Sequence, residues 1–150
     1  MHPQAAHPSL TQASDTATEV HKRYYQALIN QSLPEMEALW LAGPESRCVH
    51  PGWPPLRGWR VIRASWQAIF HDLREIKIEP ESYWSVTDGD WTWFQGEEHM
   101  TCISANATRG YRLAVQRILH WRPGLGWKVV VLHAAEMRPG AFIDSSHSPF

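Results

Sequence analysis

The sequence is poor in cysteine, in net charge and in long apolar runs, and each shortage removes a class of function. Its two cysteines, Cys48 and Cys102, stand far apart and outside any metal-ligand spacing, so free thiols are expected rather than a disulfide framework. Fourteen basic residues against fifteen acidic ones leave a net charge of −1. Nothing in that balance draws a phosphate backbone or an anionic membrane from a distance, and neither nucleic acid nor a membrane is expected as a partner. The longest purely aliphatic stretch, 129–132, is far too short to span a bilayer. Residues 1–12 hold no apolar run and do not read as a secretory signal, so a cytoplasmic protein is expected. No glycine-rich phosphate loop or dinucleotide fingerprint occurs. No HxH or HxxxH spacing gathers histidines as ligands, so neither a metal nor a cofactor is expected.

What remains is an apolar, tryptophan-rich chain of one-domain size. Its 150 residues are 43% hydrophobic and 19% charged, enough to bury a core without staples. There are nine tryptophans, and each can bury about 150–250 Å². So many large rings imply a crowded core, a tryptophan-rich dimer interface or an aromatic pocket wall, since ligand sites favour aromatics with a few placed polar groups. In the pocket reading Trp53, Trp59, Trp66 and Trp93 bind the ligand and wall off water.

Periodicity places helices first and strands last. A polar, proline-containing lead, 1–14, is expected to lack regular structure. Within 16–31, Val20, Tyr24, Ala27 and Leu28 share a helical stripe. Ser32, with Glu35 three residues on, reads as a capping box opening a second helix through Leu41. After a short strand at 47–50, the run Pro51-Gly52-Trp53-Pro54-Pro55 makes a stiff, irregular loop. Gly58 then caps a third helix, 59–71, striped by Trp59, Ile62, Trp66, Ile69 and Phe70. From there the pattern alternates. Strands are expected at 76–86, with Pro80 marking an edge or a bulge, and at 91–103, 111–122 and 127–137, with turns between them. Residues 139–150 read as a tail, which leaves a domain over 15–138. Segregated helices and strands imply an α+β fold with helices on one face of an antiparallel sheet.

One polar residue stands out on this pattern alone. Arg117 shares a strand face with Tyr111, Leu113, Val115, Leu119 and Trp121. A buried arginine needs a carboxylate partner or an anionic ligand. Arg117 is therefore expected either to anchor a carboxylate-bearing substrate or to pair with an acid such as Glu98.

The local text carries a resemblance. The segments Tyr24-Tyr25-Gln26-Ala27-Leu28, Met36-Glu37-Ala38-Leu39-Trp40 and Cys48-Val49-His50-Pro51-Gly52-Trp53 resemble the SnoaL-like branch of the nuclear transport factor 2-like superfamily, relatives of ketosteroid isomerase. The 58–70 segment and the closing strand 126–135 are similar to it as well. The His-Pro-Gly-Trp loop with the Gly-Trp…Ser-Trp…Ile-Phe that follows is the specific part. The resemblance implies a cone-shaped, cystatin-like α+β domain, with three N-terminal helices on a curved, mostly antiparallel sheet of four to six strands. It also implies a homodimer through the sheet face and a cavity for a small hydrophobic ligand. Members include isomerases, cyclases and dehydratases as well as non-catalytic binders, so the fold does not decide between them.

The resemblance also points to residues. His50 occupies the position where isomerase relatives carry the catalytic base, and imidazole, with an ordinary pKa of ~6.5, can take up a proton near neutral pH. The other reading of His50 is a structural histidine that fixes the loop. Tyr25 aligns with the tyrosine that donates to an oxyanion, although Tyr24 sits on the main apolar stripe and either can face a cavity. Glu98 and His133 match positions kept polar in the branch. If both point inward, Glu98 orients the His133 imidazole and raises its basicity; otherwise at least one of them is surface charge.

Overall fold

The computed structural model describes residues 15–138; the lead at 1–14 and the tail at 139–150 lie outside the described residues. Its elements run α1 (Ala17–Ile29), α2 (Leu33–Leu39), β1 (Arg47–Val49), β2 (Leu56–Arg57), α3 (Trp59–Asp72), β3 (Glu75–Asp88), β4 (Trp91–Ile103), β5 (Thr108–Arg122) and β6 (Gly126–Glu136). Three helices pack on a six-stranded open sheet of order β2-β1-β6-β5-β4-β3. Strands β3 to β6 form an antiparallel meander, and β1 joins it parallel to β6. The sheet is therefore mixed, as an α+β fold allows. The two-residue β2 pairs with β1 beyond the proline-rich loop. It is too short for alternation to reveal it.

Local chemistry starts each helix. Thr16 opens α1 with a full capping box: its hydroxyl accepts from the Glu19 N–H, and the Glu19 carboxylate accepts from the Thr16 N–H. The box expected at α2 is only half made. Ser32 Oγ accepts from the Glu35 N–H, but the Glu35 carboxylate accepts from the Asn30 side chain instead. The Ser32 N–H is already donated to the Ala27 carbonyl at the end of α1, so Glu35 has nothing to return. Gly58 enters α3 at φ +83° with no side-chain cap, a backbone conformation that costs glycine nothing.

The face of the sheet that meets the helices is chosen by parity. Phe94, Leu113, Val115, Leu119, Leu132 and Ala134 are buried there, each two residues from the next inward position on its strand. In β3 the parity changes. Ile76 and Ile78 face inward, but the register slips between Pro80 and Ser82, and one extra residue turns the rest of the strand over. Beyond the bulge, Tyr83 packs on the core while Trp84 is 49% exposed on the outer side. Gly96 makes room for this turn. A Cβ there would lie 2.0 Å from the Ser82 carbonyl oxygen and 2.8 Å from the Tyr83 ring.

Candidate functional site

A cavity of about 230 Å³ opens between the helices and the inner face of the sheet. Its floor is Ile76, Ile78, Met100, Leu113 and Leu132, and its roof is Leu28, Trp66, Ile69 and Leu73. Into this apolar surround project His50, Glu98 and Tyr24. Three elements supply them: the residue after β1, the middle of β4 and the buried stripe of α1.

His50 is 3% exposed and is held in one orientation. Its Nε2 lies 2.8 Å from Ser65 Oγ. The Ser65 hydroxyl spends its single proton on the Ile62 carbonyl, 2.6 Å away. The serine oxygen must then accept, so His50 carries its proton on Nε2 and its lone pair on Nδ1. The Cys48 thiol lies 3.6 Å from Nε2 and 3.8 Å from Nδ1, a weak contact with the ring. Trp66 and Trp53 meet the ring edge-on, at 4.6 and 5.1 Å between centroids. Burial lowers the imidazole pKa to about 4, so the ring is neutral at physiological pH. Burial also pushes the Cys48 thiol up to about 12, which keeps it protonated and unsuited to nucleophilic attack.

Glu98 is the second polar centre. Its Oε2 receives three donors: the Tyr25 hydroxyl at 2.7 Å, Arg117 Nη2 at 3.0 Å and the Tyr83 hydroxyl. None of these bonds uses Oε1. Arg117, fully buried, is also linked through Nη1 to His21 Nδ1 at 3.1 Å and lies 3.7 Å over the Tyr24 ring. Burial opposes its charge, but Glu98 and the three tyrosines outweigh that and raise its pKa well above the ordinary value. Burial lowers His21 to about 3, with the Arg117 charge adding to it, so His21 is a neutral acceptor stacked on Phe94. For Tyr83, burial raises the phenol to about 12. Burial also drives Tyr24 and Tyr25 above the usual phenol range. All three tyrosines are donors at neutral pH.

The structure brings together some of the residues singled out in the sequence and separates others. His50, Trp53, Trp66 and Glu98 line the cavity. Tyr25 and Arg117 stand behind Glu98 rather than at the cavity surface. Arg117 is the partner of Glu98, so it does not present a free guanidinium to a carboxylate-bearing substrate. Tyr25 has already donated its O–H to Glu98, which removes it as an oxyanion donor in this arrangement. Tyr24 lines the cavity, and none of the hydrogen bonds among the described residues uses its hydroxyl. Trp59 stacks on Trp40 at the start of α3 and lines a separate, shallow groove. Trp93 and His133 face the other way. His133 is exposed in an outer groove with Trp84, Gln95 and Gln116, because its strand neighbours Leu132 and Ala134 take the inward positions. No Glu98–His133 pair forms. Among the described residues, no group of three or more histidine, cysteine, aspartate or glutamate side chains is placed to hold a metal ion.

Four participants were not singled out from the sequence. Ser65 falls on the α3 stripe three residues after Ile62, and Cys48 stands two residues before His50 on one strand face. Both spacings were readable. His21 lies four residues before Tyr25 on α1, also at a readable spacing. Tyr83 was hidden by the bulge.

The comparisons with known proteins agree with this architecture. The SnoaL-like domain family model matches residues 18–137. A protein of the NTF2-like family from Streptomyces avermitilis, proposed as a dehydratase, shares 21% identity over 79% of this chain and 91% of its own, with a TM-score of 0.73. A nuclear transport factor 2-like superfamily protein from Salmonella enterica serovar Typhimurium gives 17%, 83%, 90% and 0.75 for the same measures. A ketosteroid isomerase-like protein from Erwinia carotovora atroseptica gives 14%, 80%, 92% and 0.66. At these identities the likeness shows the fold. Among curated proteins, none matches the chain.

Proposed function

Taking as its premise that the chain belongs to the SnoaL-like domain family, we propose that it binds a small, largely apolar molecule in the inner cavity and that His50 accepts a proton from it. The observation that carries this reading is the fixed His50 ring at the cavity wall. Ser65 holds Nε2–H, which leaves the Nδ1 lone pair as the basic site. In the step we envisage, Nδ1 takes a proton from a carbon next to a carbonyl. The bonding pair moves to the carbonyl oxygen as an enolate, and the imidazolium returns the proton to the same or another carbon. The Tyr24 hydroxyl is the cavity donor for the enolate oxygen; Tyr25 holds Glu98 in place. A ring titrating at about 4 is a weak base, so the carbon must be acidified by its carbonyl. Such a transfer asks for no cofactor.

Proton exchange provides the test. With 1-tetralone in deuterated water, His50 catalysis places deuterium at the carbon next to the carbonyl, read by proton NMR, and His50→Gln abolishes it. Binding of the ketone without exchange supports a second reading, a non-catalytic binding module, which the weak basicity of His50 favours.

The outer face of the sheet supports a homodimer in our reading. Trp84, Val86 and Trp91 are exposed together with the half-buried Trp93, and aromatic surface of this kind is enriched in subunit interfaces. For the setting of the protein in the cell, the cytoplasm remains our proposal; among the described residues no helix is long and apolar enough to cross a membrane.

A further inference from the structure

The chemistry of Glu98 narrows the class of molecule the cavity takes. This inference rests on the cavity being the ligand site. Three donors converge on Oε2, two tyrosine hydroxyls and a guanidinium, and none of the three residues is among those that line the cavity. The cavity itself is left with Glu98 at its wall and with Oε1 holding lone pairs that none of those bonds uses. Arg117 offsets the carboxylate's charge from 3.0 Å away, but it is not among the residues that line the cavity, so what a ligand meets at this wall is an acceptor.

We propose that Glu98 Oε1 is a receiving site for a hydrogen-bond donor on the ligand, a hydroxyl or amino group, and that the cavity rejects carboxylates. The ligand class is then a compact apolar skeleton with a carbonyl toward His50 and Tyr24 and a hydroxyl or amine toward Glu98. A carboxylate in the second position would set acceptor oxygens against the Oε1 lone pairs with no donor between them, and both would lose hydrogen bonds to water. A plain hydrocarbon there would leave Oε1 without a partner, which costs the site free energy. The supporting shell fits the role. Tyr25, Tyr83 and Arg117 fix the carboxylate from behind, so it does not have to be ordered when a ligand arrives.

A ladder of three probes on the intact protein tests the inference by calorimetry at neutral pH: 6-hydroxy-1-tetralone, 1-tetralone and 6-carboxy-1-tetralone. The hydroxy compound is expected to bind about tenfold more tightly than the parent ketone, as a hydrogen bond to a charged group warrants, and the carboxy compound more weakly than both. Equal binding of the first two, or tightest binding by the carboxylate, overturns the assignment of Glu98 while leaving the cavity as a ligand site. Binding by none of the three overturns the cavity reading itself, and this inference with it. The double variant Glu98→Leu with Arg117→Met removes the acceptor and both charges together and so avoids stranding one of them. Its folding is checked by a thermal melt. In the folded variant the preference for the hydroxyl compound is expected to vanish, and its persistence places the hydroxyl elsewhere and refutes the proposal. The wild-type ladder stands even if that variant does not fold.

Discussion

His50 and His133 sit almost side by side, since Val49 pairs with His133 across β1 and β6, yet they occupy opposite environments. His50 is buried against Trp66 and Ser65 on the inner face; His133 is exposed among polar residues on the outer one. The same division separates Arg117 from Arg112 on a single strand. Arg117 is buried with Glu98, whereas Arg112 reaches exposed Glu81 and Glu97 at 3.3 and 3.4 Å. Residue type alone therefore says little about role in this protein. Strand parity decides whether a polar group meets water, which screens it, or the core, where each missing partner, such as that of Arg117 Nε, costs free energy.

The sharpest break of that comparison is the paired arginine experiment. Arg117→Met strands the Glu98 carboxylate in the core and is expected to destabilise the fold by roughly 3–5 kcal/mol in a denaturant titration. Arg112→Met on the outer face is expected to cost less than about 1 kcal/mol. Equal losses would erase the distinction between the faces.

Acid should act on stability through the inner histidines. His50 titrates at about 4 in the folded protein because burial disfavours its charged form, against an ordinary value of ~6.5 in the unfolded chain. Between those two values the unfolded chain binds more protons. Stability is therefore unaffected above the upper value and falls as the pH drops through the window, by roughly 3 kcal/mol. His21, lowered to about 3, acts in the same direction. Urea midpoints measured from pH 7 to pH 4 should fall less steeply in His50→Gln than in the unaltered protein, with His21 supplying the part that remains.

A smaller effect sharpens the account of Glu98. Tyr83→Phe removes one of three donors to Oε2 and is expected to cost roughly 1.5–3 kcal/mol, typical of a hydrogen bond to a charged group. The smallest change in fold stability is expected on the outer face. There Trp84→Glu should move the melting transition of the monomer little, within about 0.5 kcal/mol, while shifting the proposed dimer to monomer in sedimentation.

The α+β layering was legible because period 3.6 gives way once to period 2, and Val20, Tyr24 and Leu28 or Leu113, Val115 and Leu119 carry those periods without ambiguity. His50 was legible as a candidate through the resemblance, because it stands before Pro51 where isomerase relatives carry the catalytic base. The rest depended on pairings that one strand cannot reveal. Alternation around 97–99 shows that Glu98 opposes its neighbours but not which side is inside, and only the partner strand's Arg117 settles that. The bulge after Pro80 inverted Tyr83 and Trp84 relative to a continuous strand. Tyr25 was displaced from its expected role by a carboxylate 73 positions away. The tryptophans divided similarly: Trp66 faces the cavity, Trp59 stacks on Trp40, and Trp93 is turned to the outer face by parity.

The most direct measurement is a methyl NMR titration of the protein with 1-tetralone. If the inner cavity is the binding site, the methyl signals of Ile76, Ile78, Leu113, Leu132 and Ala134 shift together and saturably, while Val86 on the outer face stays in place. Shifts confined to Val86 and its outer-face neighbours, or no saturable shift at all, would contradict the account.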